Sequence, residues 1–192
     1  MRQRRIVVSI VLAAVVGWTF ACIAQLEGSA LPSVEQRLAK FADRMRLSLS
    51  IASVAVFSPT VGDAHGQAQR LVLLLRGDSG DPVPGLIPQA ALVSDWITEC
   101  SLHPDVRLSL LTAAANLQAL LKLAIEAAVS ATRSHTLAKG TEDLLRVYAY
   151  MLAAWGEPVN EVGIPGLVTI LRAFDVPLTA EAYSPRPHRG RR

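Results

Sequence analysis

Between Asp105 and Lys139 the apolar residues Leu110, Ala114, Leu117, Leu121, Ala124, Ala128 and Ala131 recur in alternating steps of four and three. That spacing lays one seam along an α-helix and points it at neighbouring helices. Gln118, Lys122, Glu126 and Ser130 form a narrow polar line elsewhere on the same helix. A line so narrow predicts a helix buried around most of its circumference, the spine of a helical domain. Asn116, Lys122 and Glu126 interrupt it at intervals that hydrocarbon would penalise, so it is not read as a membrane span. The spine is expected to run from Asp105 to about Lys139, ahead of Gly140.

The rest of the chain carries the same periodicity. Ser33 and Gln36 make a capping-box pattern before Val34, Leu38, Phe41, Met45 and Leu49, and the first helix is expected to end near Phe57, before Ser58-Pro59. Asp63 is the expected N-cap of a second helix, carried by Leu71, Val72 and Leu75 to Gly77. Pro88 suits the first turn of a third, with Leu92, Trp96, Ile97 and Cys100 inward, up to His103-Pro104. Thr141 is the expected cap of a fifth helix bearing Leu144, Tyr148, Met151 and Trp155. A short sixth follows from Pro165. No segment asks for a strand, and no internal repeat of convincing period is apparent. The predicted fold is an all-α helical bundle of five to six helices around a long Ala-rich central helix, spanning residues 25–178.

Residues 1–24 read differently. Arg2, Arg4 and Arg5 run into an uncharged apolar stretch, and Cys22-Ile23-Ala24 supplies small residues ahead of Gln25, the pattern of a secretory signal peptide. The expected location is therefore extracytoplasmic: periplasm, cell envelope or secreted. Two other fates of the segment are open. Ala21-Cys22 partly fits a bacterial lipoprotein signal, which would make Cys22 a lipidation site, although Thr19 and Phe20 depart from it. Ile6 to Ala24 is also near the ~20 residues that span a bilayer, so an anchor would tether the domain to a membrane.

Removing the signal changes the charge. The whole chain has 19 Lys plus Arg against 16 Asp plus Glu, and three of the arginines lie in the signal, so the rest is neutral. A neutral domain gives no electrostatic footprint for nucleic acid. Arg186, Arg189, Arg191 and Arg192 gather in a basic tail, 179–192, read as a disordered end. With Cys22 removed, Cys100 has no partner for an intramolecular disulfide, and stability must come from the core.

Candidate chemistry is sparse. Asp95, Glu99 and His103 stand at i, i+4, i+8, which on one helix would line one face, and two of them could hold a metal ion. The plain alternative is a solvated stripe opposite Leu92, Trp96 and Cys100. Met45, Met151 and the histidines are the only material for a non-covalent haem pocket, and there is no Cys-x-x-Cys-His. Gly77-Asp78-Ser79-Gly80-Asp81-Pro82 resembles the nucleophile segment of trypsin-like proteases over those positions only, without the all-β pattern or a paired base.

A wider likeness covers about 25 residues: Ala64-His65-Gly66-Gln67-Ala68-Gln69-Arg70-Leu71-Val72 on to Gly77, then the Asp78 to Gly85 loop, resembles a loosely defined set of uncharacterised exported bacterial helical-bundle proteins. The resemblance implies an exported helical bundle with no known activity. Arg76 stands where an acid is common, and the loop is shorter and less acidic. Asp78 and Asp81 fall short of a calcium ligand set. The expectation is a non-enzymatic domain binding a protein partner or small ligand, without a predicted cofactor, the alternative being a metal- or haem-binding bundle.

Overall fold

The computed structural model describes residues 32–78, 84–156 and 165–178. The expectations for residues 1–24, Cys22, Ser79 and the tail 179–192 lie outside the described residues. Those described form six helices and no strand: α1 Val34–Ala55, α2 Val61–Arg76, α3 Leu86–Thr98, α4 Pro104–Ala131, α5 Leu137–Trp155 and α6 Leu167–Ala173. The all-α reading holds.

Every seam position of α4, from Leu110 to Ala131, is buried, and α4 packs against α2, α3, α5 and α6. Alanine at Ala113, Ala114, Ala124, Ala127, Ala128 and Ala131 keeps that side thin, so neighbouring backbones come close. The helix is not, however, buried all round. Leu108, Thr112, Ala115, Ala119, Lys122, Leu123 and Glu126 form an exposed outer face, because α1 packs on the far side of its neighbours and never touches α4. Gln118 of the polar line turns inward, its amide donating to the Ala90 carbonyl of α3 at 3.1 Å.

Four helix ends differ from expectation, the first being α3, which stops at Thr98, short of His103-Pro104. α2 is capped by Thr60, whose hydroxyl accepts from the Asp63 backbone at 3.1 Å and donates to the Asp63 carboxylate at 2.6 Å; Asp63 completes the cap rather than being it. α4 stops at Ala131, about two turns earlier than predicted. An elbow at 132–136 follows, and Thr136, not Thr141, caps α5. Gly140 therefore lies inside α5 rather than behind α4. Its position explains the glycine: a Cβ there would meet Ser134 Oγ at 2.9 Å and the Ala64 Cβ of α2 at 3.5 Å.

α1 is tied down by arginines. The Arg37 guanidinium sits over the Trp96 ring at 5.3 Å and bonds Glu99 at 2.6 Å, joining α1 to the end of α3. Arg44 donates to the Pro84 carbonyl before α3, and Arg46 lies over Trp155 of α5 at 5.1 Å. Phe41, Met45, Leu71, Leu75, Leu144 and Met151 fill the space between the layers.

The crossing of α2 and α5 gives a graded prediction. Gly140→Val forces two methyls into an occupied gap and is expected to cost about 1–3 kcal/mol. For Gly140→Ala the contact at Ser134 is offset by the ~1 kcal/mol that alanine gains over glycine in a helix, so the change is near zero. Urea denaturation of the two variants checks the ordering.

Candidate functional site

The elbow between α4 and α5 gathers most of the interacting polar side chains. Asp143 lies in the second turn of α5 with its side chain 1% exposed. Ser130 Oγ on α4 donates to one carboxylate oxygen at 2.7 Å, Lys139 Nζ to the other at 3.0 Å, and Arg146 stands 3.5 Å away. Glu142 completes a surface chain, bonded to both Lys139 and Arg146. Burial pushes the Asp143 pKa upward. The Ser130 hydrogen bond, then the Lys139 bond and the charges of Lys139 and Arg146, outweigh it and hold the carboxyl below its ordinary value. Lys139 is raised in turn, first by its bond to Asp143 and then by that to Glu142. Both groups therefore stay charged across the neutral range.

His65 reaches the same elbow from α2. Its Nε2 lies 2.7 Å from the Ser134 carbonyl and 3.3 Å from Ser134 Oγ. A carbonyl only accepts, so Nε2 carries the proton, while the Ser134 hydroxyl donates to the Ala131 carbonyl at 2.9 Å. Thus the histidine cannot take the serine's proton at Nε2. Nor can an ionised Asp143 with two hydrogen-bond donors or a lysine of raised pKa serve as a base matched to neutral pH. These three groups hold charge and hydrogen bonds in place at the elbow.

Beside this cluster a cleft of about 390 Å³ is lined by Glu126, Ser130, Arg133, Ser134, His135 and Lys139. Across Val129 lies a second of about 430 Å³ between α2 and α4, lined by Gln69, Val72, Leu73 and Thr132. Both have a largely apolar floor; the first adds charged side chains, the second only the uncharged Gln69 and Thr132.

The expected metal face is not assembled. α3 ends at Thr98, Glu99 is its C-cap, and His103 lies beyond the break as the residue preceding Pro104 of α4. Glu99 is held by Arg37, and His103 Nδ1 lies 3.7 Å from Asp105. Among the described residues no three His, Cys, Asp or Glu side chains are grouped to hold a metal ion. Met45 and Met151 are buried in the core. Cys100 is half-buried, its thiol donating to the Trp96 carbonyl at 3.4 Å. Sequence reasoning missed the elbow because it ran α4 through it; the signal that could have found it was Ser134-His135-Thr136, which repeats the Ser58-Pro59-Thr60 turn.

Comparison with protein-family models, curated proteins and solved structures finds no match.

The Asp143 pocket predicts an acid dependence. Its folded pKa is depressed, so between that value and the unfolded one, about 3.9, the unfolded state binds more protons. The contribution is present above about pH 4 and is lost as pH falls through the folded value. Asp143→Asn should flatten that part of the stability–pH curve, and Ser130→Ala should cost about 1–2 kcal/mol at pH 7. Thermal melts of both variants between acid and neutral pH check this.

Proposed function

We propose that the chain is an exported, non-enzymatic helical domain that binds a protein partner or a small ligand in the cell envelope, using the elbow cleft between α4 and α5. The observation that carries the reading is the protonation chemistry of that cleft. Beside it the Asp143 carboxylate is ionised and bonded by Ser130 and Lys139, the His65 Nε2 proton is committed to a carbonyl, and the Ser130 and Ser134 hydroxyls of the lining already donate elsewhere. Such a set recognises by fixed charge and hydrogen bonds. Arg133, His135 and Glu126 stand exposed in its lining, so charges of both signs border its apolar floor and suit a ligand surface that is polar at its edges.

Export is supported by Arg2, Arg4 and Arg5 ahead of the apolar run that ends in Cys22-Ile23-Ala24. Acylation at Cys22, or retention of the apolar run, would tether the domain to a membrane rather than release it.

Mass spectrometry of the protein exported from a bacterial host tests both halves. The denatured mass is expected to begin at Gln25. The native mass is expected to exceed it by a ligand or partner that Arg133→Glu removes. Additional native mass that is a metal or haem and is indifferent to Arg133→Glu would overturn the cleft reading, and a full-length chain retained in the cytoplasm would overturn export.

A further inference from the structure

Although no repeat is apparent in the sequence, the two halves of the described chain behave as copies of one unit. α1–α2–α3 and α4–α5–α6 have the same order of long helix, elbow, middle helix, glycine turn and shorter helix. In one unbroken register, buried positions of α1 and α2 fall on buried positions of α4 and α5: Phe41 on Leu117, Met45 on Leu121, Ala52 on Ala128, Ala55 on Ala131, Leu71 on Val147 and Leu75 on Met151. Exposed positions match as well, Leu47 falling on Leu123.

The elbows repeat bond for bond. Ser58 Oγ donates to the Ala55 carbonyl at 2.7 Å, and Ser134 Oγ to that of Ala131 at 2.9 Å. Thr60 accepts from the Asp63 backbone at 3.1 Å, and Thr136 from that of Lys139 at 3.3 Å. The Ala64 and Gly140 amides each reach the carbonyl of the capping threonine at 3.0 Å. The far ends repeat too. α2 and α5 each end on a glycine in the left-handed region, Gly77 at φ 89° and Gly156 at φ 78°. A Cβ on the first would lie 2.6 Å from Gly85, and one on the second 3.0 Å from Gly166. Those two glycines open the next helices, in Pro84-Gly85-Leu86 and Pro165-Gly166-Leu167.

How the units meet is the independent observation. Exchanging α1 with α4, α2 with α5 and α3 with α6 leaves the set of packed helix pairs unchanged. α1 meets α5 as α4 meets α2, and α1 meets α6 as α4 meets α3, whereas α1 and α4 do not meet at all. Only a two-fold relation exchanges both members at once. Such an axis must pass where an element meets its own counterpart, at α2 against α5. There Ala64 faces Gly140, the same position of the two units.

We infer that this protein is a fused pseudo-dimer: two equivalent three-helix units related by a two-fold axis between Ala64 and Gly140, the interface between them being one unit's binding surface for a second copy of itself. The elbow cleft is then a departure from the pattern. The counterparts of Ser130, Arg133, Lys139 and Asp143 in the first unit are Val54, Phe57, Asp63 and Gln67, so the buried carboxylate and its donors belong to the second unit alone.

The test uses the whole chain with its own cysteines replaced (Cys22→Ser, Cys100→Ser) and nitroxide labels on exposed sites. Equivalent units require the same electron–electron distance for Leu47 with Leu73 as for Leu123 with Ala149. A two-fold axis further requires Leu47 with Ala149 to match Leu73 with Leu123, an equality that a repeat related by translation or screw does not give. Coincident distributions in both comparisons are expected. Unequal distances within the units would overturn the equivalence, and equal ones within but unequal ones across would overturn the two-fold axis.

Discussion

Close approach of helix backbones is the constraint on which this structure depends. The long helices α1 and α4 carry alanine where they face the middle helices, at Ala52, Ala55, Ala124, Ala128 and Ala131, and α2 crosses α5 at Ala64 and Gly140. Thin contacts of this kind bury little area per residue, yet they let larger side chains such as Phe41, Leu121 and Met151 interdigitate on either side. A bulkier residue at the crossing would separate two helices and, through them, both long ones. The packing has few places where strain could be absorbed, because each middle helix touches both long helices.

Polar interactions act at the edges of that packing. Arg37, Arg44 and Arg46 pin α1 to the helices beneath it. The ion pairs of Arg37 and Arg46 contribute modestly, but their stacking on Trp96 and Trp155 fixes where α1 lies along its length. Asp143 is different in kind. A carboxylate shut away from water without partners would be costly, and removing one of its donors would expose that cost. Ser130 comes from α4 and Lys139 from α5, so the bonds that satisfy it also hold the elbow at one angle. The same bonds commit both oxygens of the Asp143 carboxylate to fixed partners.

Much of the fold was legible in the sequence, and the reasons for the misses are physical. Seam residues recur at a helical period because one side faces other helices, so all seven were identifiable as buried. Periodicity carries no information about where a helix stops. Residues 132–136, Thr-Arg-Ser-His-Thr, contain neither glycine nor proline to stop a helix, and only the capping role of Thr136 marks the break. The metal face at Asp95, Glu99 and His103 presumed a helix continuing through Ser101 and Leu102, but Pro104 at the start of α4 removes an amide that continuation would need. Exposure of the outer face of α4 depends on α1 lying elsewhere, a fact of tertiary packing that no local pattern encodes. The elbow cluster was invisible for a related reason, since Ser130, His65 and Asp143 are distant in sequence and meet only after the helices pack.

The duplicated pattern was hidden because packing conserves volume rather than identity. Where one unit has a large residue the other often has a small one: Leu38 stands against Ala114 and Ala68 against Leu144 in the shared register, and all four are buried. Across a two-fold interface such exchanges compensate, since a residue enlarged in one unit can fill the space its counterpart vacates, and volume-conserving exchange of this kind is what cores tolerate. What cannot drift is geometry that the backbone imposes. Ser58 and Ser134, Thr60 and Thr136, Gly77 and Gly156, and Gly85 and Gly166 therefore remain identical, as helix caps and pinch points whose partners are main-chain atoms. Against that shared frame, a buried aspartate in one elbow and an exposed phenylalanine in the other are differences the fold does not require, and a difference the fold does not require is where a binding function is free to reside.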